Sequence, residues 1–332
     1  ALLAGLGDVP GTTVNRYCSS SLQTIRMAAH AIKAGEGDAF IAAGVECVSR
    51  YVKGNSDSLP DTLNPIFKGP GARSKVRSEG GHGVWTPAEG LADLYISMGE
   101  TAENVAELKG VSRQAMDEYG VMSQHKAEAA INRGFFELDI TPIQLPDGTI
   151  ISKDDGPRAG VTLEAVSQMK PAFRPDGRVT AANACPLNDG AAAVVVMSRK
   201  RAEELGITPL ARIISSSVSA LNPEIMGLGP IEAIKKALER AGMTMKDIDL
   251  VEINEAFAAQ VIPSADELGI DMVNQLNVNG GAIALGHPFG QTGARIMTTL
   301  INGLTDSDKT FGLESMCVGG GQGMAMVIER LS

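Results

Sequence analysis

Residues Thr12–Gly35, TTVNRYCSSSLQTIRMAAHAIKAG, predict a short apolar strand, an abrupt turn at Cys18 and then a helix that ends at Gly35. Apolar side chains recur at helical spacing after the turn, which gives the helix one stripe that faces a core. The residues of this stripe are Leu22, Ile25, Ala29 and Ile32. The stretch therefore indicates a strand–turn–helix unit with a cysteine in its turn.

Cys18 stands at or just before the first turn of this helix, next to three consecutive serines. Unpaired backbone N–H groups and the positive end of the helix dipole face a thiol at this position. Both features favour the thiolate, which is the nucleophilic form of cysteine. The pattern predicts a nucleophile; the structural alternative is a small buried cysteine that packs behind the helix.

Composition limits the classes of protein to which the chain can belong. The chain has 332 residues, of which 44% are hydrophobic and 4% aromatic, and its net charge is −10. We expect a large α/β core, either as two domains or with an insertion, and no nucleic-acid partner. No apolar run reaches the roughly 20 residues of a membrane-spanning helix. Four widely spaced cysteines indicate reduced thiols in an intracellular protein and no metal site: Cys18, Cys47, Cys185 and Cys317.

The chain divides into three predicted parts. Residues 1–49 and 172–206 form one core half, residues 207–332 form the other, and both contain buried-type strands and amphipathic helices. Residues 50–171 are rich in Gly/Pro stretches and indicate an inserted loop domain. Within the insertion we expect a helix over 101–110 that Thr101 caps. Before it, residues 38–49 predict a buried strand of the parallel type.

The two core halves contain similar segments. Val14–Ile25 and Val278–Ile296 both begin with Val-Asn, pass through a turn of small residues and enter an amphipathic helix. An apolar strand follows each of them, over 38–47 and 310–317. Two such echoes in the same order predict a duplicated α/β unit whose turns meet where the two copies face each other.

Three further residues in turns are candidates for chemistry with Cys18. His287 lies in GAIALGHPFGQTG, a rigid glycine- and proline-rich turn that corresponds to the Cys18 turn. Cys317 precedes VGGGQG, where successive glycines let a ligand approach the backbone; their spacing is not that of a dinucleotide-binding loop. Asn254 lies at a strand-to-helix junction in EINEAFA, where an ordinary helix cap is the alternative role.

Four motifs, VNRYCSSSLQ, NEAFA, NGGAIALGHPFGQTGAR and CVGGGQG, stand in an order and spacing that resemble the thiolase family over essentially the whole chain. MGETAENVA (98–106) and PLNDGAAAVVVMS (186–198) are similar to two further family stretches. The likeness is strongest to the 3-ketoacyl-CoA thiolases, or acetyl-CoA acyltransferases. It implies a thiolase-like duplicated βαβαβαββ core in five α-β-α-β-α layers, with an inserted loop domain.

The resemblance implies a role for each motif residue. Cys18 matches the nucleophile that takes the acyl group. His287 matches its activating base, whose ring N–H also helps to bind the thioester oxygen of acetyl-CoA, and Asn254 matches the residue that holds a water as the second donor to that oxygen. Cys317 matches the acid/base that moves a proton on or off the acetyl α-carbon. The backbone N–H groups of Cys18 and Gly319 match a second oxyanion hole.

Other positions match those that bind the acyl group and the pantetheine arm of coenzyme A (CoA): Met98, Phe257, Cys185 and Leu187. CoA is then a substrate, and no cofactor is expected to be bound permanently. Its phosphates need positive charge, for which the candidates are Arg73, Lys75 and Arg77. Since family members are dimers or tetramers, we expect a homodimer or homotetramer.

The predicted reaction is CoA-dependent thiolytic cleavage of 3-ketoacyl-CoA to acyl-CoA and acetyl-CoA through an acyl-cysteine, as in fatty-acid β-oxidation. Its reverse is a Claisen condensation. The chemistry needs these residue types, because the attacking group must be a strong nucleophile and later a good leaving group, and a departing enolate needs oxyanion donors and an acid.

The sequence departs from the family pattern in three places. Ser97 precedes Met98 where acetoacetyl-type thiolases often carry His, which favours a broader or degradative substrate range. Cys185 stands where Ser is usual. The opening strands and helix of the first core unit are missing before Cys18, so we expect an exposed sheet edge. The predicted location is the cytoplasm in a bacterium, with a mitochondrion or peroxisome left open.

Several alternative functions remain at this point. A biosynthetic acetoacetyl-CoA thiolase uses the same residues in the opposite direction, and a thiolase-like CoA- or lipid-binding protein lacks turnover. A decarboxylating ketosynthase usually has a second His where Asn254 stands. A cysteine hydrolase with a Cys-His-Asn arrangement transfers the acyl group to water in place of CoA.

Overall fold

The fold is described from a computed structural model that covers residues 1–50 and 62–332. The predicted insertion begins at residue 50, and its next residues, 51–61, lie outside the described part. The helices are α1 (Ser20–Ala34), α2 (Lys68–Ser78), α3 (Met98–Lys109), α4 (Arg113–Asn132), α5 (Leu163–Ser167), α6 (Arg199–Leu205), α7 (Gly229–Ala241), α8 (Ala258–Leu268), α9 (Ala282–Leu285) and α10 (Thr292–Asp306). The strands are β1 (Ala39–Cys47), β2 (Ile143–Gln144), β3 (Ile150–Ile151), β4 (Asp189–Met197), β5 (Ala211–Ala220), β6 (Leu250–Ile253), β7 (Phe311–Val318) and β8 (Gln322–Arg330).

The main sheet has four strands in the order β5-β8-β7-β6. β8 is antiparallel to both of its neighbours, whereas β6 and β7 run parallel. A second sheet consists of β1 and β4 paired antiparallel, and β2 with β3 forms a small hairpin. Because β6 and β7 are parallel, the segments that follow both strands leave the sheet at the same edge.

Two helices, α1 and α10, lie between the β1–β4 sheet and the four-stranded sheet and share one apolar cluster with both sheets. They approach closely, since a β-carbon placed on Gly293 of α10 would lie 2.4 Å from the backbone nitrogen of Leu22. Ser21 also accepts a hydrogen bond from the Ala294 backbone N–H at 2.9 Å. This central pair therefore holds together the two turns that the internal repeat singled out.

The other face of the four-stranded sheet is covered by α7 and α8, and α3 and α4 pack against α8. This cluster contains Cys317 at the end of β7 and Phe257 just before α8. A sheet with helices on both faces buries its strands completely, and the side chains of β6 are all buried. The reactive end of β7 is therefore fixed on both sides by packed helices.

Three details of the predicted secondary structure are wrong. Residues 12–17 form no strand, because the structure places an isolated turn before α1. The strand β1 is antiparallel, and its outer face exposes Ile41 and Val45, so it is not a buried parallel strand. The cap of α3 is Ser97 and not Thr101, which lies within the helix.

Candidate active site

A strained turn presents Cys18. Tyr17, directly before it, has φ of 46°, a left-handed conformation that a bulky residue rarely adopts. Hydrogen bonds of the flanking residues hold the turn: Asn15 accepts from the Tyr17 N–H at 2.8 Å, and the Ser20 hydroxyl donates to the Tyr17 carbonyl at 2.6 Å. The serines that follow Cys18 therefore brace the turn and keep the thiol at its tip.

The sulfur of Cys18 is buried, and the backbone N–H groups of Gly319 and of Cys18 itself act to lower the pKa of its thiol. These donors favour the thiolate, but burial outweighs them and raises the pKa of the Cys18 thiol to about 11. The expectation that the helix terminus makes Cys18 a thiolate is therefore wrong for the free enzyme. A base has to take the proton as the thiol reacts.

Cys317 lies near Cys18 and is carried by the four-stranded sheet. It lies near the end of β7, is fully buried, and is followed by the turn Gly319–Gly321 that leads into β8. Burial raises the pKa of the Cys317 thiol, and the nearby Cys18 and Cys185 sulfurs raise it further. The structure thus brings three of the four cysteines together, although they lie far apart in the sequence.

His287 follows α9 and is held in one tautomer. Its Nδ1 lies 2.7 Å from the Thr292 hydroxyl, and that hydroxyl donates to the Pro288 carbonyl at 2.8 Å. The hydroxyl proton is thereby used, so Nδ1 carries the imidazole proton and Nε2 is free to accept one. Burial, together with the charge of Arg295, lowers the pKa of His287 to about 3. The resting imidazole is neutral and can act as a base.

Asn254 completes the group. Its Nδ2 lies 3.3 Å from Nε2 of His287, and its Oδ1 is buried without a protein partner. The helix after it begins at Ala258 with Phe257 as the capping residue, so the alternative role of Asn254 as a helix cap is excluded. A buried amide oxygen without a partner is typical of a site that holds a water.

We expect Thr292→Val to lower thiolysis turnover by about 10- to 100-fold while leaving substrate KM almost unchanged. Valine keeps the shape of the buried threonine but removes the acceptor that fixes the proton on Nδ1 of His287. Steady-state kinetics with acetoacetyl-CoA and CoA measure the effect. Thr292→Ser retains the hydroxyl and serves as the control; equal losses in the two variants would contradict the tautomer argument.

The residues predicted to bind the acyl group and pantetheine arm of CoA differ in their location and in their exposure. Met98 packs against the cluster that contains Phe257 and Cys317. The Cys185 backbone N–H donates to the Ala256 carbonyl at 3.1 Å, and burial raises the pKa of its thiol to about 12. Leu187 leaves 70% of its surface exposed. Met98, Phe257 and Cys185 therefore lie near Cys317, whereas Leu187 is at the surface.

The three basic candidates for the CoA phosphates also differ. Arg77 forms an ion pair with Glu107 at 2.5 Å, and Arg73 donates to the Leu91 carbonyl at 2.6 Å. Lys75 is exposed and lines a groove on α2. Of the three, Lys75 is the one whose charge is not already engaged by a contact seen in the described residues.

Within residues 1–50 and 62–332, no cluster of three or more His, Cys, Asp or Glu side chains could hold a metal ion. In the same ranges, no helix combines the length and apolarity that crossing a membrane demands.

Two known protein-family domains match nearly the whole chain. Residues 1–200 match the thiolase N-terminal domain, and residues 207–330 match the thiolase C-terminal domain. The chain belongs to the thiolase family. This finding confirms the predicted family, the thiolase-like α/β fold and the prediction of a thiolase enzyme. The group of side chains described above therefore lies in a thiolase, an acyltransferase.

Individual relatives support the same family assignment. The chain is 46% identical to an acetyl-CoA acetyltransferase of Cupriavidus necator, over 99% of this chain and 82% of that protein. It is 43% identical to a beta-ketoadipyl-CoA thiolase of Acinetobacter baylyi, over 100% of this chain and 82% of that protein. Human mitochondrial 3-ketoacyl-CoA thiolase in complex with CoA superimposes with a TM-score of 0.84 at 34% identity, covering 99% of this chain and 80% of that one.

Sequence reasoning missed three residues that shape the site. Thr292 fixes the His287 tautomer, and Asn188 accepts a hydrogen bond from the His287 backbone N–H at 3.2 Å. Phe173 packs its ring edge-on to Phe257, with the centroids 6.2 Å apart. Thr292 lies five residues after His287, where a hydroxyl could have been noticed; nothing local indicates the other two.

Proposed function

We propose that this thiolase cleaves 3-ketoacyl-CoA with CoA, and that Cys18 is its nucleophile. Nε2 of His287 takes the Cys18 proton while the sulfur attacks the keto carbon. The oxyanion that forms there receives hydrogen bonds from the backbone N–H groups of Cys18 and Gly319. Both groups act to lower the pKa of the Cys18 thiol, which supports this assignment. An acyl-cysteine and the enolate of acetyl-CoA result.

The enolate oxygen is then stabilised in a first oxyanion hole that His287 and Asn254 form. His287 now carries a proton on Nε2 and donates it in a hydrogen bond, and a water held by the Asn254 amide supplies the second donor. Cys317 gives its proton to the α-carbon, which completes acetyl-CoA. The separation of 3.3 Å between the Asn254 and His287 side chains supports a shared role.

Acyl transfer to CoA restores the starting state. The thiol of CoA attacks the acyl-cysteine and passes its proton to the Cys317 thiolate, while Cys18 leaves and recovers its proton from His287. The second oxyanion hole again receives the negative charge. Every proton is thus returned, and the two half-reactions predict ping-pong kinetics.

The degradative direction with acyl groups longer than acetyl is favoured by one observation, a groove of about 720 Å³ whose lining includes Phe173. One wall is a face of α2, and the other contains Tyr95, Ile96 and Phe173. Phe173 contacts Phe257 at the inner end. Leu94, in the same loop as Tyr95, lies 3.7 Å from the position of a β-carbon on Gly320. The lining combines apolar and polar side chains, Lys75 among the polar ones, and its apolar wall of Tyr95, Ile96 and Phe173 is suited to an acyl chain.

We expect kcat/KM to be about 10-fold higher for 3-ketooctanoyl-CoA than for acetoacetyl-CoA. Ser74→Phe, which puts a ring into the groove from α2, should lower the value for the longer substrate by about 10-fold and leave acetoacetyl-CoA almost unaffected. Ser74→Ala is the matched control. A preference for acetoacetyl-CoA that Ser74→Phe does not change would instead support the biosynthetic enzyme.

The remaining predictions are retained as proposals. The division into core halves 1–49 with 172–206 and 207–332, around an insertion over 50–171, needs a test by limited proteolysis. We propose a homodimer, which is supported by the dimeric peroxisomal thiolase of Saccharomyces cerevisiae, 39% identical with a TM-score of 0.88 over 99% of this chain and 79% of that one. Bacterial relatives support a cytoplasmic enzyme, with a mitochondrion or peroxisome as the alternative, and CoA is proposed as a substrate with no permanently bound cofactor.

A further inference from the structure

Glu255, the residue directly after Asn254, is 1% exposed, and its carboxylate accepts four hydrogen bonds. Tyr119 and Asn277 donate to Oε1, each at 2.9 Å. Ser123 donates to Oε2 at 2.6 Å, and the Ile283 backbone N–H donates to the same oxygen at 3.1 Å. A buried carboxylate with this many donors is a junction between several segments and not a surface charge.

Only an acceptor satisfies this environment. The Ile283 N–H and the Asn277 amide group are obligate donors, and each is directed at a different carboxylate oxygen. An amide side chain at position 255 would place an NH₂ group against one of them and leave a buried donor unpaired. The site thus requires a carboxylate, which the glutamine of a near-isosteric variant cannot replace.

Two of the four donors lie on α4, and the other two, Asn277 and Ile283, lie in later segments of the chain. Asn277 also accepts from the Ile253 backbone N–H at 2.9 Å, which fixes the end of β6 just before Asn254. Ile283 belongs to α9, four residues before His287. The backbone at Gly281 is pressed against the same carboxylate, since a β-carbon there would lie 2.2 Å from the Glu255 Cδ. Glu255 therefore links the segment that carries Asn254 to the segment that carries His287.

We propose that Glu255 is a positioning residue that sets the separation of Asn254 and His287 and thereby builds the first oxyanion hole. This inference rests on the proposed roles of those two residues. The contacts of Glu255 do not include Cys18 or Gly319, which form the second hole. Acyl transfer between CoA and Cys18 uses His287 to move the Cys18 proton but does not use the paired donors of the first hole, so Glu255 acts mainly on the step in which the enolate forms or reacts.

Glu255→Gln tests this separation of steps through two reactions of the same enzyme. Thiolysis of acetoacetyl-CoA requires both oxyanion holes, whereas exchange of labelled CoA into acetyl-CoA requires only acyl transfer through Cys18. We expect thiolysis kcat to fall by about 100-fold, as for the loss of an oxyanion donor, and the exchange rate to fall less than about fivefold. Thermal unfolding shows whether the variant is folded.

Glu252→Gln is the matched control, because Glu252 is also buried, lies three residues before Glu255 and pairs in register with Glu314 on β7. Its pKa is raised by burial to about 8, so it is largely protonated at pH 7 and a glutamine resembles it. We expect both reactions of this variant to stay within about twofold of wild type. Should Glu255→Gln fail to fold, Ser123→Ala removes one donor and should slow thiolysis more than exchange.

Equal losses of thiolysis and exchange in the Glu255 or Ser123 variant would overturn the positioning role and leave a purely structural one. Unchanged thiolysis would also overturn it. A wild-type enzyme that exchanges CoA but does not cleave acetoacetyl-CoA or longer 3-ketoacyl-CoA would instead contradict the proposed function, so the two failures are distinguishable.

Discussion

Cys18→Ala is expected to abolish the acyl-enzyme and to lower thiolysis by about 10⁴-fold or more, the scale on which loss of a nucleophile acts. No other thiol can replace it. Cys317 is fully buried, and burial raises the pKa of the Cys185 thiol to about 12. Mass spectrometry after incubation with acetyl-CoA detects the acyl adduct, and the loss of enolate absorbance of acetoacetyl-CoA measures turnover.

Cys47→Ala is the control for this prediction. Cys47 is half-buried at the end of β1, and its sulfur lies 3.7 Å from an Asp189 carboxylate oxygen, outside the group of three sulfurs. Its replacement should leave the adduct and the rate within about twofold of wild type. A Cys18→Ala enzyme with full turnover, or with an adduct still on the chain, would refute the assignment of the nucleophile.

The second large effect is expected for Cys317→Ala, which should reduce thiolysis by about 10³-fold while acetyl-CoA still acylates Cys18. In the proposed mechanism Cys317 supplies the proton for the α-carbon of the enolate, whereas His287 donates a hydrogen bond to the enolate oxygen. Acylation uses Cys317 only to protonate the departing CoA thiolate, which is already a good leaving group, so the adduct should form far less impaired than thiolysis. Rapid-quench mass spectrometry of the acyl-enzyme, beside steady-state thiolysis, separates the two steps.

Loss of the buried thiol also removes packing, so the stability of Cys317→Ala has to be measured. The substitution removes one sulfur atom and leaves a small cavity. We therefore expect the free energy of unfolding to fall by only about 1–2 kcal/mol. If acylation and thiolysis decline together in a folded variant, Cys317 is not the acid and acts through the shape of the site.

These predictions depend on Cys18 and His287 both being uncharged in the resting enzyme. Burial raises the pKa of Cys18 to about 11 and lowers that of His287 to about 3, so neither group is charged near pH 7. The shared cause is desolvation, which disfavours whichever form is charged. Proton transfer between them therefore accompanies attack, when the developing oxyanion supplies a favourable field.

Much of the fold could be predicted from the sequence because its signals are local. The stripe of Leu22 and Ile25, with Gly35 at its end, predicted α1 and its C-terminus. Strand pairing was not local. The same apolar run over 39–47 suits a parallel or an antiparallel neighbour, and only the partner β4, about 150 residues away in the sequence, decides between them.

The sequence by itself determined the candidates for the site: two cysteines, a histidine and an asparagine, each placed in a turn by nearby glycine, proline or serine. Only the tertiary structure decided how they are charged and oriented. The pKa values of Cys18 and His287 follow from burial, and the tautomer of His287 follows from Thr292. Desolvation and hydrogen-bond geometry depend on every segment that packs around an atom, and no stretch of sequence contains that information alone.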